Sequence, residues 1–426
     1  MSTFLIRHAH IIDPANNIDA QGDLYIAHGK LQPFAEGMEA EYTLDATGLV
    51  AIPGLIDLYA RLREPGQEKK ATIASETLAA LHGGITTLIC SPDTDPVIDE
   101  TATVELIHRR NDDAGFARVV PLAAMTQHLD GQQISELATL RDAGCVAASQ
   151  ADCALASVST LRSIMEYAAT FDIKLSMLAQ DASLAGNGVM HEGLTSTRMG
   201  LVGVPVVAET VALSMILELA WQTGAAIHFS RITSARGLAL IRDAKAQGLN
   251  ITADTSINHL FLTDKNVTGF NSLCHTQPPL RSAEDRQALR DALSDGTLDA
   301  ICTDHAPHDP DAKLAPFPAS EPGISGLDTF LPLLLRLVDE TPLSVSDVIR
   351  LASAGPAQLM GLDGGTLTPG AVADVVLLDP TDNFTCDPHA FRSKGHNSPY
   401  EGSPLKGVVK HAFVSGQHYP LSQVEG

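Results

Sequence analysis

Apolar residues in this chain fall into short runs that alternate with longer stretches of helical spacing. The runs Leu49–Leu58, Ile85–Cys90, Arg118–Met125, Cys145–Ser149, Ile173–Leu178, Ala226–Ile232, Asn250–Asp254 and Leu298–Cys302 read as strands. Stretches such as Ala71–Leu81, Val158–Thr170 and Val206–Gln222 follow them with a helical period, and Ile73, Leu78 and Leu81 fall on one packing face. Eight such units in about 300 residues predict an α/β fold, a (β/α)8 TIM-like barrel. A doubly wound open sheet is the alternative, but no Gly-rich phosphate loop opens the first helix.

Both ends of the chain have a different rhythm. Phe4–Ile12, Asp23–Ala27 and Leu31–Phe34 are short β-like runs separated by turns. Ala373–Leu378 and Gly407–Val414 resemble them after the turn-rich Gly365–Gly370. Residues 1–50 and 363–426 are therefore expected to fold together as a small β-sandwich domain, leaving 51–362 for the barrel. Trp221, the only tryptophan, is expected to anchor the helix before the sixth barrel strand.

Composition narrows the partners. Lys and Arg number 28 against 51 Asp and Glu, a formal charge of -23. Such a chain has no basic surplus with which to displace counterions, which argues against nucleic acid and anionic membrane as partners. No continuous apolar run approaches the roughly 20 residues that cross a bilayer. Hydrophobic residues make up 44% and mean hydropathy is +0.07, as expected of a large packed core. Six cysteines are scattered without a CxxC pair, and the start Met1–His8 reads as a strand rather than a leader. Reduced thiols and a cytoplasmic location are the expectation.

The candidate chemistry lies at the C-terminal ends of the barrel strands. The segment Asp57-Leu58-Tyr59-Ala60-Arg61-Leu62-Arg63-Glu64-Pro65-Gly66 has the form of a metallohydrolase signature without its ligands. Positions i and i+2 of a strand face the same way, so a His-x-His there would pinch one metal ion. Here those positions hold Tyr59 and Arg61. A phenol is a poor ligand at neutral pH, and a guanidinium has no lone pair to give.

Several motifs together resemble the dihydroorotase branch of the amidohydrolase superfamily. They are Gly54–Asp57 running into Leu62–Gly66, Gly83–Thr87, Gly188–Gly193, Pro278–Arg281, Thr303–His308 and Gly323–Gly326. The resemblance implies one or two divalent metals, usually zinc, in active members, activating water against a cyclic amide. Matched position by position, the first-strand histidines correspond to Tyr59 and Arg61. The fourth-strand lysine or aspartate falls in Ala148–Ala151, at Gln150, and the fifth-strand histidine near Leu178. The sixth-strand histidine corresponds to Arg231, and only the strand-eight aspartate, Asp304, is kept. No metal is therefore expected, with zinc at a reduced or displaced site as the alternative. Arg63 matches the arginine that grips the substrate carboxylate, and His308 matches a substrate contact. Asp93 and Gln277 replace family asparagines, which would set a negative charge beside an anionic substrate.

Three expectations follow for these residues. At least one of Arg61 and Arg231 pairs with Asp304, because an unpaired buried carboxylate is costly. Asp304 with His305 could otherwise act as a general base. His228, His259 and His305 read as core residues rather than a second metal site. The resemblance is closest to the inactive dihydroorotase-like chains that accompany aspartate carbamoyltransferase. It implies a non-catalytic subunit contacting that enzyme's catalytic chain, with a homodimer inside a larger hetero-oligomer. An active cyclic-amide hydrolase is the competing reading, and a carboxylate sensor built on Arg63 is a third.

Overall fold

The computed structural model describes residues 2–35 and 37–421. Eight parallel strands form the barrel: Leu55–Ala60, Ile85–Cys90, Arg118–Pro121 with Ala123–Ala124, Ala148–Ser149, Leu175–Leu178, Ile227–Ser230, Ile251–Ser256 and Ala300–Cys302. The first strand is buried on both faces, as its unbroken apolar run anticipates for a parallel strand under helices. The third is split at Leu122, with Pro121 unable to donate to a neighbour. Its first half pairs with strand two and its second with strand four. Closure between strands eight and one is made by a bridge from Ala60 to His305, where the Arg61 amide donates to the His305 carbonyl at 2.9 Å.

Helices cover the outside. Ile73–His82 begins two residues later than its periodicity suggests, because Thr72 and Ser75 cap its first turn reciprocally. Val158–Thr170 and Val206–Thr223 fall where expected. Before the latter, the chain makes an excursion through Ala182–Ala185, Met190–His191, Leu194–Met199 and Gly203–Val204, which sets His191 of the Gly188–Gly193 motif 3.3 Å from Arg281. Trp221 does not anchor its helix: it is 73% exposed. The buried stripe is Ala208, Ala212, Leu213, Ile216 and Ala220, and one residue further on turns the side chain about 100° away from that stripe.

Both chain ends build the small domain. Phe4–Asp13, Ile18–Ala27, Lys30–Gln32 and Val50–Pro53 join Val375–Thr385, Pro404–Val414 and Gln417–Pro420 in one seven-stranded path, from which Tyr42–Asp45 branches by pairing with Phe4–Asp13. The path closes on itself: the Leu31 amide donates to Ala371 at 2.9 Å, and Gly370 donates back to Leu31 at 2.7 Å. Ile6, Ile26, Leu31, Ala51, Val375, Leu377 and Phe413 fill the space it encloses. The domain boundary falls at Gly54 rather than after residue 50. The single predicted strand Leu49–Leu58 is two strands, since Val50–Pro53 pairs with small-domain strands and Leu55 starts the barrel.

Two links tie the small domain to the barrel, one at the start of strand three and one at the mouth. Arg118 on strand three bonds Asp374 at 3.1 Å and Ser415 at 2.8 Å. Asn397 accepts from the His308 amide at 2.9 Å and donates to the carbonyls of Ala306 and Gly323, each at 3.0 Å. The C-terminal segment thus holds the loop after strand eight.

Gly54 tests this architecture. A Cβ there would stand 2.1 Å from Thr86 Oγ1 and 2.5 Å from its Cγ2, between two strands that cannot part. Gly54→Ala is expected to lower stability by about 1–3 kcal/mol, the usual range for overpacking, read from urea unfolding midpoints.

Candidate functional site

The mouth of the barrel is closed by an ion-pair cluster. Arg61, from the end of strand one, donates through Nε to Asp93 at 2.7 Å. Its Nη2 donates to Asp152 Oδ2 at 2.5 Å and to the Tyr59 hydroxyl at 3.1 Å. Arg231, from the end of strand six, donates through Nη2 to Asp152 Oδ1 at 2.6 Å and through Nη1 to Asp304 at 2.9 Å. Asp152 therefore bridges the two guanidinium groups, and strands one, two, four, six and eight are joined across the axis. The Arg231 guanidinium also lies over the Tyr59 ring, 4.0 Å from its centroid. A dry cation over an aromatic face is worth about 2 kcal/mol.

Local backbone turns aim these groups. Arg63, Ala151, Arg231 and Asp304 all have positive φ, between 50° and 65°. Each lies where a strand has just ended and the chain must bend outward. Non-glycine residues in that region cost energy and persist only where surrounding contacts over-determine them. The Arg231 amide is held by Asp254 at 2.6 Å, which is such a contact. Asp57 staples strand one to strand eight beneath the cluster, accepting from the Thr303 amide at 2.7 Å and its hydroxyl at 2.5 Å.

Charges in the cluster follow from burial and neighbours. Burial opposes ionisation of Asp93, but Arg61, a Ser91 hydrogen bond and Arg63 outweigh it and hold the carboxyl down at about 2. Asp152 is likewise kept below the ordinary range, because Arg231 and Arg61 together exceed its desolvation. Asp304 has one direct ion pair where Asp152 has two, and burial wins there, raising it to about 6. Desolvation drives the Tyr59 phenol upward, so it stays neutral and keeps its proton.

Arg231 takes the expected partner, Asp304, and Arg61 does not. Arg63 is turned toward the protein: Nε donates to the Pro307 carbonyl at 3.1 Å, and Nη2 is 3.2 Å from His308 Nε2. The same ring nitrogen of His308 meets the Pro322 carbonyl at 2.9 Å. Asp93 is spent on Arg61 rather than facing a ligand, a correction to its expected substrate role. Gln277 contributes its carbonyl, 3.3 Å from Arg231 Nη1. The space left among Arg63, Gln277, Asp304, His308 and Glu321 is about 170 Å³. Pockets that hold organic ligands usually span about 300–1,000 Å³.

Gln150 and Leu178 point elsewhere. Gln150 is bonded to Thr126 at 2.9 Å and to the Leu129 carbonyl at 3.1 Å. Leu178 lines a separate apolar cleft with Leu161, Met177 and Met215. Asp304 and His305 do not form a catalytic pair, since His305 turns inward to Glu76 at 2.7 Å and accepts from the Gly326 amide. His228 lies between Thr252 and Asp254, and His259 faces Pro279, so the three histidines do not converge. Among the described residues, no three His, Cys, Asp or Glu side chains are grouped to hold a metal. The donor set at the mouth does not fit a hydrolytic zinc: Arg61 and Arg231, which stand among its acids, are cations without a lone pair to give.

Asp152 escaped the sequence reading. It lies two residues past Gln150, on the same face by strict alternation, but the strand ends at Ser149: Gln150 turns to Thr126 and Leu129, and after the left-handed turn at Ala151 it is Asp152 that reaches Arg61 and Arg231. An acid two residues beyond the expected ligand was the available signal.

A (β/α)8 barrel with an end-built β domain, and a mouth assembled from these motifs, defines a protein of the amidohydrolase type. Residues 48–236 match the dihydro-orotase-like family model, and residues 235–418 match the amidohydrolase family model. A dihydroorotase-like protein of Pseudomonas aeruginosa is 47% identical over 417 residues, covering 97% of this chain and 98% of its own. A dihydroorotase of Syntrophus aciditrophicus is 41% identical over 417 residues, with the same coverage of both chains. The chain belongs to the dihydroorotase-like family of amidohydrolases. In fold alone it is similar to the L-hydantoinase (dihydropyrimidinase) of Arthrobacter aurescens, with a TM-score of 0.86 at 22% identity over 98% of this chain and 96% of that one. The D-hydantoinase (dihydropyrimidinase) of a Thermus species gives 0.86 at 20% identity, over 99% and 96%.

Two measurements probe the cluster. Arg231→Met strands Asp304 and leaves Asp152 with Arg61 alone, and should cost about 3–5 kcal/mol in urea unfolding; adding Asp304→Leu should recover part of that loss. The second concerns Asp57, whose carboxyl burial raises from 3.8 to about 7. A raised acid favours the protonated native state, so its stabilisation is present below the unfolded value and is lost as pH rises through the folded one. Asp57→Asn is expected to be neutral at the acid end of that window and progressively more stable than wild type toward its upper end, as read from Tm against pH.

Proposed function

We propose that this protein is a catalytically inactive member of its family. In this reading it serves as a structural subunit that assembles with the catalytic chain of aspartate carbamoyltransferase in pyrimidine biosynthesis. The observation that carries the loss of catalysis is the Arg61–Asp152–Arg231 bridge, which puts two guanidinium groups where a hydrolytic centre needs lone pairs. Restoring a metal would require both arginines to leave their carboxylates, exposing buried, unpaired acids. Arg63 turned to Pro307 and His308, and a residual space of about 170 Å³, support the same reading. The assembly partner rests on resemblance to the inactive companions of that transferase. The scattered, unpaired cysteines accord with a cytoplasmic home, five of the six being buried.

A second reading has one finding in its favour. Relatives about two-fifths identical carry the name dihydroorotase, including the 41% identical chain above. It would make the protein a cyclic-amide hydrolase with zinc held by a reduced or displaced donor set.

The proposal is tested by co-expressing the chain with the aspartate carbamoyltransferase chain of its host. A complex of defined mass is expected, with transferase assembly or activity falling when this chain is omitted. The purified chain should neither retain zinc through mild chelation nor turn over dihydroorotate. Transferase behaviour unchanged by the omission would overturn the structural role, and dihydroorotate turnover with stoichiometric zinc would favour the second reading.

A further inference from the structure

A second cleft lies outside the barrel mouth, behind the loop that carries Asp152. Its floor is made of core side chains: Leu161 from the helix Val158–Thr170, Met177 from strand five, and Ala212 and Ile216 from the helix Val206–Thr223. Segments 150–157 and 178–183, which carry the chain out of strands four and five, form its walls. It shares no lining residue with the space among Arg63, Gln277, Asp304, His308 and Glu321.

Size separates the two. The mouth retains about 170 Å³ and the cleft about 330 Å³, which falls inside the range of about 300–1,000 Å³ in which pockets hold organic ligands. An apolar cavity of about 150 Å³ takes one benzene, so the cleft has room for about a dozen non-hydrogen atoms. Met177 and Met215 stand in its lining, and unbranched thioether side chains adapt to the outline of an occupant. Val158, at the start of its helix, lines the cleft and is 52% exposed, so the apolar surface continues to the opening.

Charge narrows the occupant. No lysine, arginine or histidine is among the lining residues. The single lining carboxylate, Asp181, is turned to the turn it caps, accepting from the Ser183 hydroxyl at 2.5 Å and the Leu184 amide at 2.9 Å. An anion in the cleft would be desolvated without a partner, in a chain of formal charge -23. The Gln180 amide, half-buried in the wall, has no hydrogen-bond partner among the described residues and can both donate and accept. We propose that this cleft binds an uncharged, largely hydrocarbon small molecule whose one hydrogen-bonding group meets the Gln180 amide. The inference does not rest on the proposed function.

Alkylation of Cys153 in the full chain tests this, because Cys153 lines the cleft and is the one exposed thiol of the six. The probes are 1-octanol and indole, which are neutral, and octanoate, which is charged. Each neutral probe is expected to bind one per chain by calorimetry, to raise Tm, and to slow iodoacetamide modification of Cys153 saturably. Octanoate should bind at least about tenfold more weakly than 1-octanol, since its carboxylate would be buried unpaired. Ala182→Trp, at an exposed lining position, should weaken 1-octanol at least about tenfold by filling the opening, with circular dichroism unchanged. Gln180→Lys should reverse the order of 1-octanol and octanoate by supplying the missing cation. Absence of saturable Cys153 protection by both neutral probes overturns the inference. So does octanoate binding wild type as tightly as 1-octanol, or 1-octanol binding unaffected by Ala182→Trp. Protection of Cys153 by the host's transferase chain and by neither neutral probe would assign the cleft to that partner instead.

Discussion

One carboxylate holds the mouth of this barrel together. Asp152 accepts from Arg61 on one oxygen and Arg231 on the other, at 2.5 and 2.6 Å, and through them engages Asp93, Asp304 and the Tyr59 ring. Arg61, Arg63 and Arg231 face Asp93, Asp152 and Asp304, so fixed charge is nearly balanced within a few ångströms. That balance is what allows Arg231 to be buried at all. Removing Arg61 leaves Asp93, and removing Arg231 leaves Asp304, buried without its direct ion pair, which is far more costly than never having buried the set.

Such a cluster also explains why the strand ends tolerate left-handed backbone. Arg231 and Asp304 adopt positive φ at the points where their side chains must meet, and the ion pair between them opposes relaxation of either turn. The loop behind Asp304 is secured from the small domain by Asn397, and strand eight is stapled to strand one by Asp57. Local strain, domain contact and charge pairing therefore reinforce one another around a site that offers no metal its usual donors.

Much of this was legible in the chain. The eight strands, the covering helices and the end-built β domain follow from apolar periodicity and turn residues, because a strand buried on both faces must be apolar throughout. The chemical character of Tyr59, Arg61 and Arg231 was also legible, because a phenol and two guanidinium groups are fixed by residue type alone. The pairing of Arg231 with Asp304 was anticipated from the cost of leaving either charge alone.

Other features needed the folded molecule. The break at Gly54 is invisible in an apolar run, since it depends on which neighbours each half finds. Asp152 was missed because the strand ends at Ser149, so which side chain meets the two arginines is decided by the left-handed turn at Ala151 and not by strand alternation. The inward turn of His305, the occupation of Arg63 by Pro307 and His308, and the outward face of Trp221 are likewise set by contacts between distant segments. Residue types and their local order thus determined the architecture and which side-chain types stand at the barrel mouth. Which charge found which, and which apolar face was left uncovered, was decided only when the barrel closed, because pair distances across its axis are not a property of neighbouring positions in the chain.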